Sequence, residues 1–219
     1  MILICIVSKF SLTNINQIRF LQSQDYAKIK YKEYSMNDIL ISLAKAAILV
    51  ALNQPDNFDL EKALKQFPVL EENGAVFVTI NTEPNEQLRG CIGSLEAYRP
   101  LYQDVISNAQ SAALRDPRFK PLTLEEFKDI KLEVSILSKP ELLEYSDTND
   151  LRKKILPFKD GVVLRYNEYH ATYLPQVWEQ LPKFDNFFSS LCLKANLSND
   201  CLSAHPEIST YQVKKYKEK

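Results

Sequence analysis

The stretch Val162-Val163-Leu164-Arg165-Tyr166-Asn167-Glu168-Tyr169-His170-Ala171-Thr172-Tyr173-Leu174 decides the class of fold. Two runs rich in β-branched and aromatic residues, Val162 to Tyr166 and Tyr169 to Leu174, flank Asn167-Glu168, a two-residue connection of the kind that joins antiparallel strands. A parallel pair would need a crossover of a dozen or more residues at this point. Upstream, Lys131 to Leu137 alternates at period two, with Leu132, Val134 and Ile136 on one face, and reads as a half-buried strand. Further upstream, Ala75 to Ile80 follows the turn signal Asn73-Gly74 and reads as a buried strand. Helices fall around these strands at uneven spacing. One begins at Asn37 or Asp38 and lines Ile39, Leu40, Leu43, Ala47, Val50 and Ala51 on one side. Another runs from the cap Asp59 to Phe67, closed by Pro68, and a third from Pro100 to Leu114, ended by Asp116-Pro117. Two more cover about Pro175 to Leu181 and Asp185 to Ala195. Hairpins mixed with unevenly spaced helices predict an α+β fold, an antiparallel-rich sheet with flanking helices.

Composition narrows the function classes. The 219 residues suffice for one larger domain or two small lobes sharing a core. With 45% hydrophobic and 25% charged residues the chain is globular, and a net charge of -1 gives no overall attraction to nucleic acid or anionic lipid. Ile39 to Leu52 is too short for a membrane span and carries Lys45, and the apolar run Ile2 to Val7 has no basic residue before it, so no membrane or secretory role is expected. Cys5, Cys91, Cys192 and Cys201 form no C-x-x-C, which predicts free thiols and a cytoplasmic location. His170 and His205 stand alone, so neither a metal nor a cofactor is expected. Residues 1–35 carry a charge of +3 and no sustained helical apolar period. They read as a flexible extension, or as sequence upstream of a misassigned start, before a domain over 36–219.

Scarce residues mark the candidate site. Only four glycines occur, and two fall in Leu88-Arg89-Gly90-Cys91-Ile92-Gly93. Glycine serves where φ is positive or where another group approaches the backbone closely, so this segment is expected to be a tightly bent loop presenting amides and Cys91. Four of the seven arginines, Arg89, Arg99, Arg115 and Arg118, lie in or shortly after it, with Asp116 among them. The functional reading makes Cys91 a thiolate favoured by Arg89 and by loop amides, and Arg118 an anion clamp. The competing reading is a structural turn beside an ion-pair cluster. His170 is the candidate base for Cys91, Trp178 a core anchor, and the lysines from Lys214 to Lys219 a solvated basic tail.

Gly74-Ala75-Val76-Phe77-Val78-Thr79, Leu88-Arg89-Gly90-Cys91-Ile92-Gly93, Asp116-Pro117-Arg118-Phe119-Lys120-Pro121, Leu132-Glu133-Val134-Ser135-Ile136-Leu137-Ser138 and Tyr173-Leu174-Pro175-Gln176-Val177-Trp178 resemble the AMMECR domain in order and spacing. The resemblance covers about Met36 to Tyr216. It implies two unequal lobes, with the Leu88 to Gly93 motif near a cleft between them, and an intracellular protein without an established activity. It also implies two partners, a Memo-type protein resembling class III extradiol dioxygenases and a radical S-adenosylmethionine protein, in a system linked by context to RNA or nucleotide modification. The chain departs from the family pattern where a Lys-Ala-Gly turn and then a tryptophan are usual: here stand Lys194-Ala195-Asn196 and Asp200-Cys201.

Three functions compete on these grounds. The first is binding of a small anionic or nucleotide-like ligand at Arg89, Gly90, Ile92, Gly93, Asp116 and Arg118. The second is a non-enzymatic interaction module using the same cleft, and the third a cysteine-dependent hydrolase or transferase with Cys91 and His170 as its catalytic residues.

Overall fold

The computed structural model describes residues 34–218. Apart from Tyr34 and Ser35, the stretch read as an extension lies outside the described residues. Ser35 itself caps the first helix, α1 (Met36–Ala51). Its hydroxyl accepts the Asp38 N–H at 3.2 Å, and the Asp38 carboxylate accepts the Ser35 N–H at 3.1 Å, so two otherwise unpaired donors are satisfied reciprocally. After α2 (Leu60–Gln66), β1 (Ala75–Thr82), β2 (Leu88–Gly93), α3 (Leu101–Leu114) and β3 (Ile130–Leu137) complete most of the first half. The second half contains β4 (Glu141–Leu142), α4 (Thr148–Lys154), β5 (Gly161–Tyr166), β6 (Tyr169–Tyr173), α5 (Val177–Gln180), α6 (Phe184–Lys194), β7 (Glu207–Tyr211) and β8 (Val213–Lys217).

The strands form two antiparallel sheets, in the orders β2-β1-β3-β8 and β4-β7-β5-β6, and the fold is α+β. In the first, the even-numbered side chains Val76, Val78, Ile80, Leu132 and Val134 pack with Leu40 and Ile48 of α1 and Val105 and Ala109 of α3. In the second, Val162, Leu164 and Ile208 pack with Trp178, Phe187, Phe188 and Leu191. Trp178 is the anchor expected of it: its ring stacks on Phe187 at 3.6 Å, and its Nε1–H donates to the Asp160 carbonyl at 3.0 Å.

Each sheet therefore has one helix-covered face and one other face, and these other faces meet in a third apolar cluster. Ala75, Phe77, Leu137 and Val213 come from the first sheet, and Val163, Leu174 and Tyr211 from the second. Two glycines make the contact possible. A Cβ on Gly93 would lie 2.2 Å from the Phe77 ring, and one on Gly161 would lie 2.3 Å from the Tyr211 ring. Each ring lies across the glycine it faces on the paired strand, Phe77 opposite Gly93 and Tyr211 opposite Gly161. Gln212 alone separates β7 from β8, so the chain passes from one sheet to the other there; the Ser138 N–H, on the link from β3 to β4, donates to the Gln212 carbonyl at 2.8 Å.

Four sequence expectations are corrected. Leu88 to Gly93 is an edge strand and not a bent loop, and no glycine has positive φ; Gly90 is required because its Cβ would lie 2.3 Å from the Ala112 carbonyl oxygen. The C-terminal lysines to Lys217 form strand β8, and not a solvated tail. Cys192 and Cys201 are joined in a disulfide, so the expectation of free thiols fails for both and the argument from thiols to a cytoplasmic location goes with it. β7, α4 and the two-residue β4 were not expected. Where the family pattern has glycine after α6, Asn196 takes the left-handed conformation at φ 58°, a conformation Asn tolerates better than most residues. Cys201 is buried in the second core.

Candidate functional site

The site is built around Cys91 on the outer strand of the first sheet. An edge strand leaves alternate N–H and C=O groups without a partner strand. At Cys91 two side chains take the place of that strand. The Cys91 N–H donates to Asp116 Oδ2 at 2.9 Å, and Arg118 Nη2 donates to the Cys91 carbonyl at 3.1 Å. Asp116 and Arg118 are themselves paired, with Arg118 Nη2 and Nε donating to the carboxylate at 2.7 and 2.9 Å. Asp116 is buried, yet the guanidinium beside it outweighs that burial and holds its carboxyl well below the usual carboxylate range. The Asp116-Pro117-Arg118 turn at the end of α3 thus fixes the backbone of Cys91 on both sides.

Arg89 faces another task. Its Nε and Nη2 donate to the two Glu126 carboxylate oxygens at 3.0 and 3.2 Å, and Nη2 also donates to the Lys120 carbonyl at 2.9 Å. The arginine, then the Thr123 N–H, lower the Glu126 carboxyl to about 2. Arg89 therefore ties residues 120–126 to β2, and its Nη1, buried, has no hydrogen-bond partner among the described residues. Ile92 packs on the first core, and Gly90 lies against the α3 backbone.

The Cys91 thiol is half-buried and free of any disulfide. The Thr79 hydroxyl, directly opposite on β1, donates to its sulfur at 3.3 Å. The pairing continues across the sheet, from Thr79 to Glu133 and from Glu133 to Lys217, so Cys91, Thr79, Glu133 and Lys217 form one row on the face turned away from the helices. Glu133 accepts the Ser135 hydroxyl at 3.1 Å and pairs with Lys215 at 3.2 Å and Lys217 at 3.1 Å. Burial pushes its carboxyl up, but the two lysines together win, and it sits below the ordinary value. The adjacent row holds Gly93, Phe77, Ser135 and Lys215 and passes into the apolar contact with the second sheet.

The structure brings together Cys91, Asp116 and Arg118, and places Arg89 on the same strand but in separate bonds. His170 is exposed on β6, opposite Arg165, and no hydrogen bond among the described residues joins it to Cys91. It does share the face of its sheet with Val163 and Thr172, the face that meets the first sheet. Among the described residues no group of three His, Cys, Asp or Glu side chains could hold a metal ion, and no helix is long and apolar enough to cross a membrane. Thr79, Glu133, Ser135, Lys215 and Lys217 were missed as site residues. The alternation of Lys131 to Leu137 carried a signal, because apolar even positions put Glu133 and Ser135 together on the opposite face.

A family model described as AMMECR1 matches residues 41–216. A Saccharolobus islandicus protein is 36% identical over 188 residues, covering 81% of this chain and 78% of its own. Protein MJ0810 of Methanocaldococcus jannaschii is 39% identical over 143 residues, 63% of this chain and 69% of its own. The crystal structure of the uncharacterized protein PH0010 from Pyrococcus horikoshii superimposes with a TM-score of 0.67 at 33% identity, covering 84% of this chain and 91% of that one. With the motif strand, its Asp-Pro-Arg brace and a family match over most of its length, the chain belongs to the AMMECR1 family.

Proposed function

We propose that this chain binds a small anionic or nucleotide-like ligand beside Cys91, on the face of the first sheet that is turned away from the helices. In this reading it acts in the cytoplasm with a Memo-type and a radical S-adenosylmethionine protein in modifying RNA or nucleotides. The partnership, the setting and the modification are supported by the family resemblance. Ligand binding is supported by one observation above others: a free, half-buried thiol whose backbone is held on both sides by the Asp116–Arg118 pair and whose sulfur accepts the Thr79 hydroxyl. The row of polar groups on the same face, Thr79, Glu133 and Lys217, offers the few directed contacts that a ligand site uses.

The test is retention of small molecules. Purified protein is incubated with a metabolite extract, washed and denatured, and the released compounds are identified by mass spectrometry. The proposal expects an anionic compound enriched by the wild type and lost with Cys91→Trp, which fills the space beside Thr79. Equal retention by both proteins, or none by either, contradicts it.

A further inference from the structure

The reading above leaves open which groups hold the anion, and the two arginines at the Cys91 strand, Arg89 and Arg118, each have Nε and Nη2 engaged within the protein. Arg89 gives Nε and Nη2 to Glu126 and Lys120, and Arg118 gives Nε and Nη2 to Asp116 and Cys91. Three lysines share the Cys91 face: Lys131 pairs with Glu83 at 2.7 Å, one carboxylate to itself, whereas Lys215 and Lys217 share the single carboxylate of Glu133. They alternate along β8, so both side chains project from that face, whereas Lys214 projects from the other and lies over the Tyr216 ring at 5.2 Å.

Lysines on an edge strand commonly serve only to discourage pairing with another chain. These two are held differently. Glu133, with a side chain 13% exposed, receives both ammonium groups, while the lysine side chains remain 50% and 67% exposed. Each ammonium has three donors, so each keeps donors for a ligand after meeting Glu133. Two positive charges against one carboxylate leave a local excess of one. Ser135 fixes the carboxylate that fixes them. The arrangement is a pre-set pair of ammonium groups, one on the Cys91 row and one on the next.

Resting on the ligand-binding proposal, we infer that Lys215 and Lys217, positioned by Glu133, hold the phosphate of a nucleoside phosphate whose opposite end reaches Cys91. Length selects the class of ligand. Cys91 and Lys217 are the ends of a row across four strands, and three steps of about 4.8 Å put their Cα atoms ~14 Å apart. Lysine side chains lean back over part of that distance. A ligand touching both ends must still be on the order of 10 Å long, which a nucleoside monophosphate is and a free phosphate or pyrophosphate is not.

The experiment measures alkylation of Cys91 by iodoacetamide in the native full chain, with the four ribonucleoside 5′-monophosphates or inorganic pyrophosphate as the added probe. At least one nucleotide should slow the reaction five-fold or more, and pyrophosphate should not. Lys215→Met/Lys217→Met should raise the nucleotide concentration needed for protection at least ten-fold. Lys215→Arg/Lys217→Arg should restore most of it, and Lys214→Met should match the wild type. Circular dichroism melts check that each variant folds. Equal protection of the double Met variant overturns the assignment of the lysines. Equal protection by pyrophosphate overturns the length argument, and protection by no nucleotide overturns the ligand class. A retained anion in the metabolite experiment would in that last case leave the broader proposal standing.

Discussion

Gly90 and Asp116 are the two residues on which the geometry of Cys91 depends most. A methyl group at position 90 would meet the Ala112 carbonyl of α3, which is backbone and cannot swing aside, so α3 and β2 must separate. Gly90→Ala should therefore lower stability by about 1–3 kcal/mol, the usual cost of overpacking, measured by urea denaturation. Asp116→Asn should cost about 1–3 kcal/mol, because the Cys91 N–H and the Arg118 guanidinium lose a charged acceptor. Asp116 also predicts a pH dependence. Its folded carboxyl titrates below the ordinary aspartate value of 3.8, so its contribution is fully present above that pH and is lost as pH falls below it. Glu126, lowered from 4.5 to about 2, acts in the same direction between those two values. Thermal melts from pH 6 to pH 2 should show stability falling below about pH 4.5, less steeply in Asp116→Asn. The importance of these residues was legible in the sequence from the scarcity of glycine and arginine. The reason for Gly90 was not, since whether a glycine answers to its own φ or to a neighbour's backbone depends on tertiary contact.

At the scale of elements, the legible strands were those with a strong apolar period, β1, β3 and the β5–β6 hairpin. β7 and β8 were hidden because their sequences, Glu207-Ile208-Ser209-Thr210-Tyr211 and Val213-Lys214-Lys215-Tyr216-Lys217, lack a sustained apolar alternation: β7 buries only Ile208 and Tyr211, and β8 is an edge strand that carries three lysines. The Glu133–Lys215–Lys217 group was hidden with it, because a charge partner on an unrecognised strand cannot be placed. The disulfide was hidden for a related reason, as nine residues of separation say nothing about whether two side chains face each other. It ties the end of α6 to the turn before β7. A loop of that length corresponds to about 2–3 kcal/mol in the chain-entropy account, so Cys192→Ala/Cys201→Ala should lower unfolding free energy by roughly that amount. Peptide mapping without reductant should recover the two cysteines in one linked pair.

For the whole molecule, the two sheets are held together where glycine lets an aromatic ring lie across a neighbouring strand. Phe77 over Gly93 and Tyr211 over Gly161 meet Val163, Leu174 and Val213. Tyr211 is further fixed by donating its hydroxyl to the Tyr173 carbonyl at 3.2 Å, and burial pushes its phenol up to about 12. Gly161→Ala should displace the Tyr211 ring, seen as a lower tyrosine pKa in an ultraviolet titration with the first core intact. The α+β class and the motif were legible in the sequence because they depend on local patterns. The contact between the sheets was not, because it joins residues far apart in sequence, from Ala75 to Val213.

The claim at the centre of this account is that Cys91 is an accessible, braced thiol on a binding face. Its direct measurement is the rate of iodoacetamide labelling at Cys91, resolved by peptide mass spectrometry, in the native protein and again in urea. The account predicts labelling of the native chain at a rate within about ten-fold of the unfolded one, because the sulfur is only partly covered. Labelling of Cys91 only after unfolding would contradict it and leave the motif strand as a piece of structure.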